Sequence, residues 1–183
     1  ISMIESYLFY SSERLLTLLE RSGSKRISDV VILAEQELTK HTPKEILANA
    51  HDRVLVMKKS RDFGMTVKKS KSGMIKDEAK RMQEMLGNKR MLLSPLMIKA
   101  GAYALGVMGC NAVMGTIVAA PTAGSSGIIP GSLLAMQEDF GYSDEEVARA
   151  LITSAGIGMI IGHISTFSAA KAGCQAEIGA SSA

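Results

Sequence analysis

Ala100–Pro121, AGAYALGVMGCNAVMGTIVAAP, is the stretch on which the fold turns. As a helix it is long enough to cross a bilayer, and its Gly and Ala positions resemble the small-residue packing between membrane helices. It is poor in Leu, Ile and Phe, Asn111 sits at its centre, and it lacks the aromatic belts and flanking basic clusters of a spanning segment. A helix made of small apolar residues on every side is also what a fully buried central helix looks like. The buried helix is the reading adopted. The next apolar stretch, Ala150–Ala170, is interrupted by His163, Ser165, Thr166 and Ser168, so no membrane association is expected.

Outward from this stretch, charge divides the chain. Of its 183 residues, the first 90 carry eighteen basic and twelve acidic side chains, whereas the remainder carries three basic and six acidic. Between Lys99 and Glu138 there is no charged side chain at all. The expected organisation is one domain over 1–183, with polar outer helices in 1–90 and apolar core helices in 91–183. A content of 46% hydrophobic residues excludes disorder as a description of the whole, and two cysteines exclude a disulfide scaffold. The cysteine usage fits a reducing cytoplasm. Ile1–Tyr10 has no basic region of a secretory signal, and Ile1 is not an initiator Met, so the natural start is expected to lie upstream.

Helix signals recur along the chain and strand signals do not. Ser12–Leu19 is a short amphipathic run closed by Ser22-Gly23-Ser24. Ser28 is expected to cap a helix over Asp29–Thr39. Thr42-Pro43-Lys44-Glu45 combines a capping Thr, a Pro at the first helical position and a Glu that completes a capping box. Behind it Ile46, Ala50, Val54 and Met57 recur at helical spacing and form one apolar face. Asp77–Leu86 reads as a shorter helix, Ser94-Pro95 opens another toward Gly109, and Ser143-Asp144-Glu145-Glu146 is a second capping box before a long helix ending near Gly162. The fold class expected is all-α: a bundle-like domain with buried, small-residue-rich central helices.

Two segments interrupt these helices. Lys58–Gly73 (KKSRDFGMTVKKSKSG) sets six basic residues against Asp62 and reads as a solvated connector rather than a phosphate site, since only Phe63 offers a stacking surface; no nucleic-acid partner is expected. Pro121-Thr122-Ala123-Gly124-Ser125-Ser126-Gly127 concentrates small residues, hydroxyls and backbone N–H groups between two apolar helices, the second expected to begin near Pro130. Such a loop can wrap a small anion such as a carboxylate, or serve as a tight connector where helices pack closely. Cys110 reads as a small core residue. Cys174 stands three residues before Glu177, on one face of a helix if that segment is helical, and a thiol beside a carboxylate hints at metal ligation or acid–base work. His41, His51 and His163 show no metal-ligand spacing, and a cluster site needs about three or four thiolates.

Asn111–Ser125 together with Gly127–Gly131, and Gly173-Cys174-Gln175-Ala176-Glu177-Ile178-Gly179, resemble the two signatures of the iron–sulfur-dependent L-serine dehydratase (L-serine ammonia-lyase) α chain. Weaker agreement runs through Ile27–Glu37 and through Lys71-Ser72-Gly73 with Ala79. The resemblance implies deamination of L-serine to pyruvate and ammonia, with a possible β chain as partner and a homo-oligomer as the assembled form. It implies a [4Fe–4S] cluster held by three cysteines, whose open iron activates the substrate hydroxyl as a Lewis acid while a base takes the α-proton. Cys174 matches the first cluster cysteine. The other two lie downstream in the family, and Cys110 matches neither, so the cluster is expected of the full-length family and not of this C-terminally incomplete chain. Substrate contacts are implied at Ser72, Gly73, Asn111, Pro121, Thr122, Ala123, Gly124 and Ser125, with Glu177 and His163 as candidates for the base.

The chain departs from the family at Met74–Asp77, usually glycine-rich; at Gly109, where an acid is expected; and at Gly162–Thr166, where an asparagine-rich stretch is expected. A cysteine desulfidase-like lyase and a non-catalytic domain lacking the cluster are the alternatives.

Overall fold

Short polar side chains start the helices where the sequence places them. Thr42 Oγ1 accepts the Glu45 N–H at 3.3 Å while the Glu45 carboxylate accepts the Thr42 N–H at 2.7 Å, opening α3 (Pro43–Met65). Ser143 and Glu146 repeat the arrangement at 3.2 and 2.8 Å to open α7 (Asp144–Ile164). Ser11 caps α1 (Ser12–Ser22), which ends on Gly23 in the left-handed conformation, and Ser94 caps α5 (Pro95–Ala112). Each cap contributes about 1 kcal/mol. The remaining helices are α2 (Ile27–Thr39), α4 (Glu78–Gln83), α6 (Ile128–Phe140), α8 (Ala169–Ala172) and α9 (Cys174–Ser182). This computed structural model describes residues 6–88 and 92–183. Among them there are nine helices and no strand, so the fold is all-α as read. The point at residues 90 and 91 where the polar half meets the apolar half lies outside the described residues, as does Ile1.

Several boundaries differ from the expectation: α4, expected over Asp77–Leu86, spans only Glu78–Gln83. α2 starts at Ile27 with Arg26 in the cap position, and Ser28 is buried inside its first turn with a hydroxyl that has no partner among the described residues. Burial of Val30, Val31 and Ala34 turns that face inward, while Asp29 pairs with Arg149 of α7 at 3.0 Å. α6 begins at Ile128, two positions before Pro130, which sits in the first turn where a helix needs no N–H. Most consequentially, α3 runs through Lys58 to Met65. Two of its basic residues have partners on packed neighbours: Lys58 bonds Asp144, and Arg61 donates to Glu138 at 2.7 Å while lying 4.5 Å from the Tyr103 ring centroid.

The core forms in two clusters joined by α3. Phe9 joins α1, α2, the first half of α3 and the start of α7 in one cluster, where Val30 and Val54 are fully buried. Met57, Tyr103, Leu134 and Ala135 join the second half of α3 to α5 and α6 in the other. Full burial of each large aliphatic side chain is worth about 1.5–3 kcal/mol. α3 and α5 cross in near backbone contact, for a Cβ on Gly64 would lie 1.6 Å from the Gly106 carbonyl oxygen.

The decisive stretch is therefore two things. Residues 100–112 form the larger part of α5, with Ala102, Tyr103, Gly106, Val107, Gly109 and Cys110 buried, and 113–127 is irregular chain. Among the described residues α7 is the one helix long and apolar enough to cross a membrane.

Candidate functional site

Where α5 ends, Met114 adopts a left-handed backbone (φ 64°) and the Gly115 N–H returns to the Cys110 carbonyl at 2.9 Å. Cys110 itself is buried with its thiol 3.5 Å from the Thr116 carbonyl, and burial pushes its pKa up, which suits a packing role. The chain then passes a cis Ala120–Pro121 bond into Thr122–Gly127.

Hydroxyls of this loop point inward. Thr122 Oγ1 donates to Glu177 Oε2 and lies 3.3 Å from Ser125 Oγ. Ser125 Oγ donates to the Ala120 carbonyl at 3.4 Å, and Ser126 Oγ to the Ala123 carbonyl at 2.8 Å. The Asn111 side-chain amide also donates to the Ala123 carbonyl, at 3.0 Å. From α9, Ser181 Oγ reaches the Ala120 carbonyl at 3.2 Å and its own helix at Glu177 O, 2.7 Å. Glu177 is only 8% exposed, and a Cβ on Gly124 would stand 2.3 Å from its Oε1. Ala123 and Gly124 are exposed, and their backbone N–H groups find no acceptor among the described residues. Two adjacent free N–H groups on a rigid turn are suited to a small anion.

Asn111, Pro121, Thr122, Ala123, Gly124, Ser125 and Glu177 thus come together. Ser72 and Gly73 instead form their own turn: Ser70 Oγ lies 3.1 Å from Ser72 Oγ, Gly73 has φ 72°, and Ser70 N–H donates to Ile75 O at 2.7 Å. No hydrogen bond among the described residues links that turn to the loop. His163, exposed at the end of α7, stacks on Tyr10 with ring centroids 4.9 Å apart. Gly109 packs at the α3–α5 crossing, where a Cβ would meet Gly64 O at 3.3 Å, a tight contact.

Ser181 was not singled out by the sequence reading, although its spacing of four from Glu177 puts both on one helical face. Arg53 had no signal at all. It borders a cavity of about 420 Å³, otherwise walled largely by apolar groups of α7, Val118–Pro121, Phe167 and Ala180. Arg53 Nη1 donates to the Asn49 carbonyl at 3.0 Å.

The family model for the serine dehydratase alpha chain matches residues 22–183. The chain belongs to the serine dehydratase alpha chain family. It is 35% identical over 156 residues to a probable L-serine dehydratase alpha chain of Bacillus subtilis, covering 85% of this chain and 52% of the relative. Against the L-serine dehydratase alpha chain of Peptoniphilus asaccharolyticus it is 37% identical over 155 residues, with 84% and 53% covered. An L-serine dehydratase of Streptomyces coelicolor is 31% identical over 180 residues, 94% of this chain and 38% of that one. The chain thus spans about half the length of the first two relatives.

An iron–sulfur cluster needs about three or four thiolates. Cys174 is exposed at the first position of α9, Cys110 is buried elsewhere, and no group of three His, Cys, Asp or Glu among the described residues is placed to hold a metal ion. The donor set in these residues alone does not fit a four-iron cluster.

Proposed function

We propose that this chain is the substrate-binding part of an L-serine dehydratase α chain, with the L-serine carboxylate received by the N–H groups of Ala123 and Gly124. One observation carries the reading: the loop turns its hydroxyls inward while the N–H groups of two neighbouring exposed residues, Ala123 and Gly124, find no acceptor among the described residues. Family membership supports L-serine as the substrate and pyruvate with ammonia as the products. Asn111 and Pro121 shape the loop from either side. Of the two candidate bases, Glu177 touches the loop, whereas His163 is stacked on Tyr10. Cys174 is the thiol this chain contributes to a cluster whose further ligands come from outside these residues. Ser72 and Gly73 as a second substrate contact, a β-chain partner, self-association and a cytoplasmic location belong to the same proposal.

A second reading, a domain that binds without turnover, is favoured by the lone accessible thiol. Both are tested by titrating the anaerobic protein with L-serine and L-cysteine in a calorimeter and assaying pyruvate. L-Serine binding with pyruvate formation is expected. Preference for L-cysteine indicates a desulfidase-like enzyme, and binding without pyruvate indicates the second reading. Binding of neither amino acid overturns the substrate loop.

A further inference from the structure

A closed ring of contacts joins α9 to the loop. It runs from the Glu177 carboxylate to Thr122, then Ser125, then the Ala120 carbonyl, then Ser181, and back to the Glu177 carbonyl. We propose that Glu177 is a positioning residue that clamps the Thr122–Ser125 turn onto α9 and so keeps the Ala123 and Gly124 N–H groups aligned, rather than the group that takes a substrate proton.

Three observations carry this. First, the carboxylate is packed into the loop: Oε2 accepts from Thr122, and Oε1 lies against Gly124, 2.3 Å from where an added Cβ would stand. Second, Glu177 is 8% exposed and is not among the residues that line the 420 Å³ cavity beside the loop; its carboxylate is turned to Thr122 instead. A general base has to lie within hydrogen-bond reach of the proton it removes. Third, the grip is two-point. Glu177 and Ser181 are four apart on α9 and meet the turn at two places, Glu177 at Thr122 and Ser181 at the Ala120 carbonyl, the Ser181 hydroxyl hydrogen being shared with the Glu177 carbonyl. A single hydrogen bond would leave the turn free to rotate about it, and the pair fixes it. Holding donors in place before the ligand arrives is the means by which a rigid site gains affinity, because the ordering is done in folding.

The clamp stands on geometry alone, whereas its consequence for a ligand rests on the L-serine reading above. The experiment separates the two. Hydrogen–deuterium exchange of the 118–127 segment is measured by mass spectrometry in the wild-type chain and in Glu177→Ala, Glu177→Gln and Thr122→Val. Loss of a hydrogen bond to a charged acceptor is expected to speed exchange of the hydrogen-bonded loop amides, those of Ala120 and Ser126, roughly tenfold or more in the Ala and Val variants. Gln keeps the shape and can still accept from Thr122, so its exchange is expected to stay close to that of the wild type. Unchanged exchange in both Glu177→Ala and Thr122→Val overturns the clamp. Thr122→Val breaks the same bond from the loop side, so the question stays open to test if Glu177→Ala does not fold. L-Serine affinity is then read on the same proteins: weaker in Ala and Val, retained in Gln. If the wild type binds no L-serine, the functional reading falls while the exchange data still decide the clamp. Where the complete enzyme turns over, loss of kcat in Glu177→Gln with protected loop amides assigns proton transfer to Glu177 and overturns the positioning role.

Discussion

A methyl group at position 124 would stand 2.3 Å from a carboxylate oxygen that is itself bonded to the loop. Gly124→Ala must therefore push Glu177 off Thr122 or lift the turn off α9, at a cost of about 1–3 kcal/mol for overpacking. The expected result is a thermal midpoint lower by several degrees, at about 2–4 °C per kcal/mol for a chain of this size. L-Serine binding should weaken by roughly tenfold, the equivalent of about 1.4 kcal/mol. A variant with an unaltered melting curve and unaltered affinity would remove Gly124 from the site. The loop glycine was legible because small residues and hydroxyls cluster around it. Its partner was not, since 53 positions separate Gly124 from Glu177 and no spacing rule spans them.

Helix packing sets the next scale. At the α3–α5 crossing the obstacle is a backbone carbonyl, which cannot rotate away as a side chain does. Gly64→Ala would place its Cβ 1.6 Å from Gly106 O and force the two helices apart, with a loss of roughly 3 kcal/mol or more. Gly158 on α7 has nothing within 4 Å of the same position, so Gly158→Ala is expected to stabilise by about 0.5–1 kcal/mol through helix propensity. Urea unfolding of the two variants checks the contrast, and equal shifts would contradict the crossing. Caps at Thr42, Ser94 and Ser143 were legible because a cap is a contact over three residues. The continuation of α3 through its basic stretch was not legible. It depends on Asp144, Glu138 and Tyr103, which lie on helices far along the chain.

For the molecule as a whole, pH exposes the same long-range pairings. Burial, reinforced by the Glu138 hydrogen bond, holds the Tyr103 hydroxyl in its neutral form and pushes its pKa from 10.0 up to about 12. A raised folded-state pKa means stability fully present below pH 10 and lost as pH climbs toward 12. At the acid end, the Lys58 ammonium, then the Gln137 amide, holds the Asp144 carboxyl below its ordinary value of 3.8. That contribution is present above the ordinary value and disappears as pH falls below it. Urea midpoints across pH should show both losses. Tyr103→Phe should flatten the alkaline limb and leave the acid limb in place, whereas identical limbs in the wild type and the variant would disprove the assignment.

The amino-acid sequence by itself determined the helical class, the caps, the apolar face of α3, the buried character of Ala100–Ala112 and the family signatures. All of these rest on neighbours within about one or two helical turns, where side-chain spacing fixes which groups meet. Tertiary structure alone decided that Glu177 and Ser181 of α9 meet Thr122 and Ala120, that the Ser72–Gly73 turn keeps to its own hydrogen bonds, and that Gly109 packs against the Gly64 backbone. It also decided that His163 stacks on Tyr10. These contacts join residues brought together by packing of whole helices, and packing depends on the shapes of all the faces at once. Local periodicity carries the elements, and only their assembly brings a carboxylate near the end of the chain to a loop more than fifty residues before it.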